Sequence, residues 1–319
     1  MQACQDSGLA ISVVICTQNR ADLLAGVMQT LCAQTLPTFC FEIVVVDNDS
    51  KDHTRAVAED FCRRYSNVRY CVESRRGLSY ARNRGWREAH GAYVAYIDDD
   101  CKVPTEWLSV AYDIINQIGP AAFGGPYYPF YNSPKPYWWE DRYGSFEQSR
   151  ESRGLRPREY LRGGNIFFRR GVLEDMSGFE TSLGMSGEKL GYGEETALQR
   201  AIRATMPDEL IYYDTKLYVD HLVRPEKMTL RWALKSWFVN GRSSYQVYRD
   251  DNPQAAEQSR FKLLIKAVLT IKGFFGDLLV GILRRDRERY PYVQNYFYEN
   301  TTNFIAKLGL IYEEFGHCS

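Results

Sequence analysis

Three consecutive aspartates, Asp98-Asp99-Asp100, close the apolar run Tyr93-Val94-Ala95-Tyr96-Ile97. The run has the β-former content of a buried strand, so three like charges sit at one strand tip. That arrangement is electrostatically unfavourable without a positive partner. A divalent cation is one answer, because hard cations take carboxylate oxygens and hold phosphates at the same time. A solvated turn is the other, since Asp is common where strands end. With extended-chain spacing Asp98 and Asp100 flank Asp99 and point the same way.

Other residues along the chain carry comparable choices. Asp47, after the run Glu42-Ile43-Val44-Val45-Val46, could accept hydrogen bonds from a base or ribose, or simply cap a strand end. The stretch Arg76-Gly77-Leu78-Ser79-Tyr80-Ala81-Arg82-Asn83-Arg84-Gly85 sets small residues before a helix with three arginines close by. A helix N-terminus and guanidinium groups both favour phosphate. Glu194-Glu195 follows Gly191-Tyr192-Gly193 and places a carboxylate at a helix start. It could serve as a general base or only complement the helix dipole. His221, within Asp220-His221-Leu222-Val223-Arg224, could be a metal ligand, a phosphate contact or a satisfied core histidine.

The elements that must position these groups alternate. Strand patterns at Ile11–Cys16, Glu42–Val46, Val68–Val72 and Tyr93–Ile97 are separated by helical patterns such as Leu23, Leu24, Val27 and Leu31 on one face. This predicts an α/β fold, a mainly parallel sheet flanked by helices. Ligands then bind beyond the carboxyl ends of the strands. The polar clusters Thr17-Gln18-Asn19-Arg20, Asp47 to Asp52 and Asp98 to Asp100 should therefore converge on one crevice. Between Pro126 and Gly144 the chain is rich in Tyr, Trp and Pro without a period, either a packed loop or a set of rings for stacking on a sugar. From about Thr229 the pattern is helical, giving an expected division into a catalytic domain over 1–228 and a helical C-terminal extension over 229–319.

Composition narrows the class. The 319 residues suffice for one large α/β domain with an appendage. Lys and Arg balance Asp and Glu, so the formal net charge is 0 and no nucleic-acid partner is expected. The eight cysteines are scattered without metal-ligand spacing, which argues against zinc and for a reducing, cytoplasmic setting. The amino-terminal residues lack the basic start and apolar core of a signal peptide. No segment offers eighteen uncharged apolar residues. The nearest, Leu263 to Leu283, is interrupted by Lys266, Lys272 and Asp277 and followed by four arginines. It reads as an amphipathic helix that either packs on the protein or makes peripheral contact, through residues 263–289, with the inner face of a membrane.

From about Ile11 to Arg249 the order of these motifs resembles that of a family-2 inverting glycosyltransferase with a GT-A-type nucleotide-sugar-binding fold. Ser12 to Arg20 is similar to the family's first strand and Thr-x-Asn-Arg loop, and Val46 to Asp52 to its second-strand tip. The resemblance implies nucleotide contacts from Thr17, Asn19, Arg20, Asp47 and Asp49, with Asp47 on the base. Gly77, Ser79, Arg82 and Asn83 would line the diphosphate. Asp100 would bind Mn²⁺ or Mg²⁺ directly, Asp98 would reach the metal or the nucleotide through water, and Asp99 would be a further residue of the nucleotide site. His221 with Arg224 would complete the metal or diphosphate site. Gly164 and Asn165 would lie at the sugar and acceptor pocket. Glu195 stands where the family's base is usually aspartate, with Glu194 as the alternative. The implied donor is a nucleotide-diphosphate sugar and the acceptor a saccharide or lipid-linked saccharide, in surface polysaccharide or glycan synthesis. Two rivals are weaker. A sugar-phosphate nucleotidyltransferase would need a Gly-rich loop after the first strand, and Thr17-Gln18-Asn19-Arg20 has no glycine. A non-catalytic nucleotide-sugar-binding protein would be expected to lose the carboxylates.

Overall fold

A computed structural model describes residues 8–187, 189–249 and 260–317. The first hundred residues alternate as their pattern predicts: β1 (Ile11–Thr17), α1 (Ala21–Cys32), β2 (Phe41–Asp47), α2 (Thr54–Arg64), β3 (Val68–Val72), α3 (Leu78–Glu88) and β4 (Tyr93–Asp98). Successive side chains of the central strands enter two separate cores. Val13, Ile15, Ile43 and Val45 join Leu24, Val27 and Met28 on one face, while Val14, Val44 and Val46 join Ala81 on the other. A sheet buried on both faces has little use for polar residues except at its ends. A Cβ at Gly85 would collide with the Val14 side chain, so α3 lies close against β1.

After β4 come β5 (Cys101–Lys102), α4 (Trp107–Gln117), β6 (Ala122–Gly124), β7 (Tyr127–Phe130), β8 (Arg153–Gly154), β9 (Asn165–Arg169), α5 (Arg170–Asp175), α6 (Glu194–Thr205), β10 (Ile211–Tyr213) and β11 (Val219–Leu222). The main sheet has the order β3-β2-β1-β4-β9-β6-β10-β8. β1, β2, β3 and β4 run parallel. β9 is antiparallel to both β4 and β6, β10 is parallel to β6, and β8 is antiparallel to β10. The mainly parallel sheet is thus observed, with β9 inserted against the prevailing direction. A small second sheet, β5-β11-β7, pairs His221 with Cys101 and so sets the histidine beside the aspartate tip. Among the described cysteines Cys16, Cys32, Cys62, Cys71 and Cys101 are free, and Cys40 is disulfide-bonded.

The chain divides into two compact units. The first comprises the chain up to Phe130, Gly144–Gly187 and Glu194–Leu222; the second comprises Tyr131–Tyr143, Glu188–Gly193 and the chain from Val223. The second is built on α7 (Leu230–Tyr248), α8 (Arg260–Leu283) and α9 (Val293–His317). Within it, Trp138 and Trp139 are buried with Val223 and Met228, against Tyr143 and Tyr298. Asn295, fully buried on α9, donates to the Trp138 carbonyl at 2.6 Å and the Tyr143 hydroxyl at 2.9 Å. Of the two readings open for the aromatic segment, packing therefore holds for Trp138 and Trp139, while Tyr137 stays 69% exposed. No described helix is long and apolar enough to cross a membrane.

Candidate active site

The last residues of β1, β2 and β4 are Thr17, Asp47 and Asp98, and the switch in strand order falls at β1 and β4. Here Asp99 is set apart from Asp98 and Asp100. Asp99 is turned inward, where Thr17 Oγ1 donates to Oδ2 at 2.8 Å and Arg20 Nη1 donates to Oδ1 at 2.7 Å. Burial pushes its carboxyl up to about 6 in spite of the arginine. Asp98 and Asp100 instead face His221. One ligand atom from each of the three lies within 4.8 Å of the others, and His221 Nε2 is 3.3 Å from Asp100 Oδ1. The Leu222 N–H donates to the Asp100 carbonyl at 2.9 Å, which fixes the register of the histidine strand on the tip. Two carboxylates and an imidazole suit Mn²⁺ or Mg²⁺, with the nitrogen donor favouring a transition metal.

The neighbouring loops are latched to one another. Asn19 and Asp49 both adopt left-handed backbone (φ 53° and 61°), which Asn and Asp tolerate. The Asn19 N–H donates to Ser50 Oγ at 2.8 Å and Asn19 Oδ1 accepts from the Lys51 N–H at 2.6 Å. Asp49 carries an ion pair with Lys51 at 2.6 Å. Asp47 is buried and accepts from the Ser50 N–H and the Tyr70 hydroxyl, both at 2.8 Å. Asn48, which the sequence reading passed over, donates to the carbonyls of Glu73 and Arg75 and accepts from the Gly77 N–H. It thereby shapes the turn into α3, where Gly77 (φ 141°) needs to be glycine. The signal for Asn48 was its place between two strand-tip aspartates.

Several residues expected to line a diphosphate are engaged with the protein. The Leu78 N–H at the start of α3 donates to the Met185 carbonyl at 2.8 Å. Ser79 Oγ donates to the Leu183 carbonyl at 2.9 Å, and the Asn83 amide pairs with both backbone groups of Phe179 at 2.7 and 2.8 Å. These bonds hold the segment that leads to α6. Asn165 is likewise fully buried, accepting from Trp107 Nε1 at 3.2 Å and donating to the Leu217 carbonyl at 2.7 Å. Arg82 is buried and paired with Glu194 at 2.5 Å. Burial opposes its charge, but Glu194, Glu195 and Asp98 together raise it.

The Gly163-Gly164 turn makes room for this charge cluster. A Cβ on Gly163 would collide with the Arg82 guanidinium, and one on Gly164 with the Asp98 carboxylate. The two acids at the start of α6 differ. Glu194 is buried, and burial together with the Glu195 charge pushes its carboxyl above the ordinary range against the pull of Arg82. Glu195 is half-buried. Each has an Oε2 enclosed without a hydrogen-bond partner. Tyr127, also missed in sequence, stacks its ring on His221 with centroids 5.7 Å apart. Its buried hydroxyl has no partner and senses the Asp98 and Glu195 charges. Only its position in an aromatic-rich segment marked it. The site thus brings together three donors that could hold a cation and, within electrostatic reach, a carboxylate pair with unfilled lone pairs that can take up a proton.

Residues 12–177 match the family described as Glycosyl transferase family 2. The chain is 31% identical over 179 residues to the glycosyltransferase AglE of Haloferax volcanii, covering 56% of this chain and 58% of that protein. It is 27% identical over 247 residues to the glucosyl-dolichyl phosphate glucuronosyltransferase of the same organism, covering 74% and 76% of the two chains. In fold it is similar to residues 1–349 of TarS from S. aureus in complex with UDP-GlcNAc, with a TM-score of 0.57, 17% identity and coverage of 97% and 90%. The mannosyltransferase PcManGT of Pyrobaculum calidifontis, in complex with GDP-Man and Mn²⁺, gives a TM-score of 0.55 at 16% identity, covering 95% of this chain and 74% of that one.

Proposed function

The chain belongs to glycosyl transferase family 2, and from that premise we propose that it moves a sugar, with inversion, from a nucleotide-diphosphate sugar to a hydroxyl of a saccharide or lipid-linked saccharide acceptor. The observation that carries this reading is the convergence of Asp98, Asp100 and His221 on one small volume beside Glu194 and Glu195. Asp98, Asp100 and His221 would hold Mn²⁺ or Mg²⁺, which when bound supplies positive charge to the departing diphosphate. Asp47 and the latched loops at Asn19 and Asp49 would frame the nucleoside. The lipid-linked form of the acceptor takes its support from the name of the glucuronosyltransferase relative.

Glu195 accepts the proton of the acceptor hydroxyl. The acceptor oxygen forms its bond to the anomeric carbon as the bond from that carbon to the diphosphate oxygen breaks, the electron pair leaving with the nucleoside diphosphate. With one base and no enzymic nucleophile, configuration inverts. The division of labour between the acids follows their surroundings. Glu194 has one oxygen tied to Arg82, whereas Glu195 is the less confined of the two. Arg82 and Glu194 act as a buried positioning pair beneath the Gly163-Gly164 turn.

Transfer assayed with a panel of nucleotide sugars, Mn²⁺ and simple glycoside acceptors tests this reading. Glu195→Gln should lower turnover by about 10²–10⁴-fold while donor binding persists, and NMR of the product should show an inverted anomeric centre. Retained configuration, or full turnover in the variant, would overturn it.

A further inference from the structure

α8 packs against α9 along one side. Leu263 is fully buried, the Phe274 ring stacks on Phe304 of α9 with centroids 3.6 Å apart, and a Cβ on Gly281 would run into the Tyr296 hydroxyl. These residues define the packed side. Away from it, Leu264, Ile265, Val268, Leu269, Val280 and Leu283 are between 43% and 77% exposed. Leu264, Ile265, Val268 and Leu269 are linked by steps of three and four residues, as are Val280 and Leu283, and the two groups share one side of the helix as a strip in two parts with Lys272 between them. Exposed apolar side chains grouped in this way mark an interaction surface.

Charge decides what covers it. Between residues 260 and 289 eight Lys and Arg stand against three Asp and Glu, in a chain whose formal net charge is 0. Lys272 is exposed on the strip itself, and the exposed Arg284 and Arg287 follow its end. A second copy of the chain, paired two-fold and antiparallel along the strip, would bring Lys272 close to its own counterpart near the centre. A bilayer surface imposes no such repulsion. The lysine stem can lie along apolar atoms while its ammonium reaches a lipid phosphate.

We propose that α8 lies flat in the headgroup region of a membrane containing anionic lipids, with Leu264 to Leu283 in the acyl boundary and the arginines after it on lipid phosphates. The helix does not cross, in keeping with the absence of a described helix long and apolar enough to do so. This inference rests on α8 alone and stands or falls apart from the transfer reaction.

Flotation of the full chain with phosphatidylcholine vesicles, with and without phosphatidylglycerol, tests it. The chain should float with the anionic vesicles and be released by salt. Val268→Glu with Leu269→Glu changes only exposed positions, so its thermal melt should match the unaltered chain while flotation is lost. Arg284→Glu with Arg287→Glu should weaken binding by roughly fivefold or more for each charge. No flotation with anionic vesicles, or flotation unchanged by the Val268/Leu269 pair, would overturn the proposal. So would a dimer in sedimentation equilibrium that this pair dissolves, since a second copy would then own the strip.

Discussion

The sheet unit and the helical unit leave different things unfinished. At the strand tips Asp98, Asp99, Asp100, Glu194 and Glu195 are gathered around two arginines, Arg20 and Arg82, which are already bonded to Asp99 and Glu194. Carboxylates outnumber arginines there, with Asp98 and Asp100 beside His221 and an enclosed oxygen on each of the two glutamates without a hydrogen-bond partner. In the helical unit Asn295 and Tyr143 find partners within the aromatic core, and α8 carries the exposed apolar strip. An excess of negative charge suits a cation. Unmet apolar area selects a non-aqueous surface. The kind of group each unit holds in excess is the basis of the ligand proposed for it.

The comparison breaks most readily at Arg82. Arg82→Leu would strand the buried Glu194 carboxylate, and removing one partner of a buried pair typically destabilises by about 3–5 kcal/mol. A melt within a degree of the unaltered chain would show that the strand-tip charges are not held in this way. On the helical side Asn295→Ala leaves the Trp138 carbonyl and the Tyr143 hydroxyl short of a donor, with an expected loss of about 1–3 kcal/mol in denaturant unfolding.

Glu194 sharpens the contrast through pH. Its carboxyl is raised in the folded state, so between its unfolded value and the raised one the folded protein binds more protons than the unfolded chain. Stability from this group is present at the acid end of that window and declines as pH rises through it. Melting of the metal-free chain from about pH 5 to pH 8 should therefore fall more for the unaltered protein than for Glu194→Gln, which keeps the neutral form. Equal slopes would remove Glu194 from the account. The smallest effect belongs to Tyr127→Phe. Removing a buried hydroxyl without a partner should leave stability unchanged or raise it slightly, whereas a clear loss in unfolding experiments would reveal a partner to that hydroxyl.

Much of this architecture was legible because it is local. β1 to β4 announce themselves by runs of β-formers, and a strand run fixes where its carboxyl end lies, so Thr17, Asp47 and Asp98 could be placed at one edge. The insertion of β9 between β4 and β6 was not legible, since it depends on pairing between residues about seventy positions apart. The same limit explains Ser79, Asn83 and Asn165. Their types suit ligand contacts, but their partners Leu183, Phe179 and Leu217 come from distant segments that no spacing reveals. Asp99 shows the limit within one motif. The resemblance ranked the three identical neighbours, but that Thr17 and Arg20 claim the middle one depends on the folded positions of residues about eighty places away. Trp138 and Trp139 stood between two readings until Asn295 supplied the anchor that decided for packing.

The central claim is that Asp98, Asp100 and His221 seat a divalent cation through which a nucleoside diphosphate is held. Calorimetric titration of the full chain and of Asp100→Ala with UDP and GDP, each with and without Mn²⁺, tests this most directly. At least one nucleotide should bind in a manner that requires Mn²⁺ and is lost in Asp100→Ala, with both proteins melting alike in the absence of metal. Binding that is indifferent to Mn²⁺, or equal in the two proteins, would contradict it.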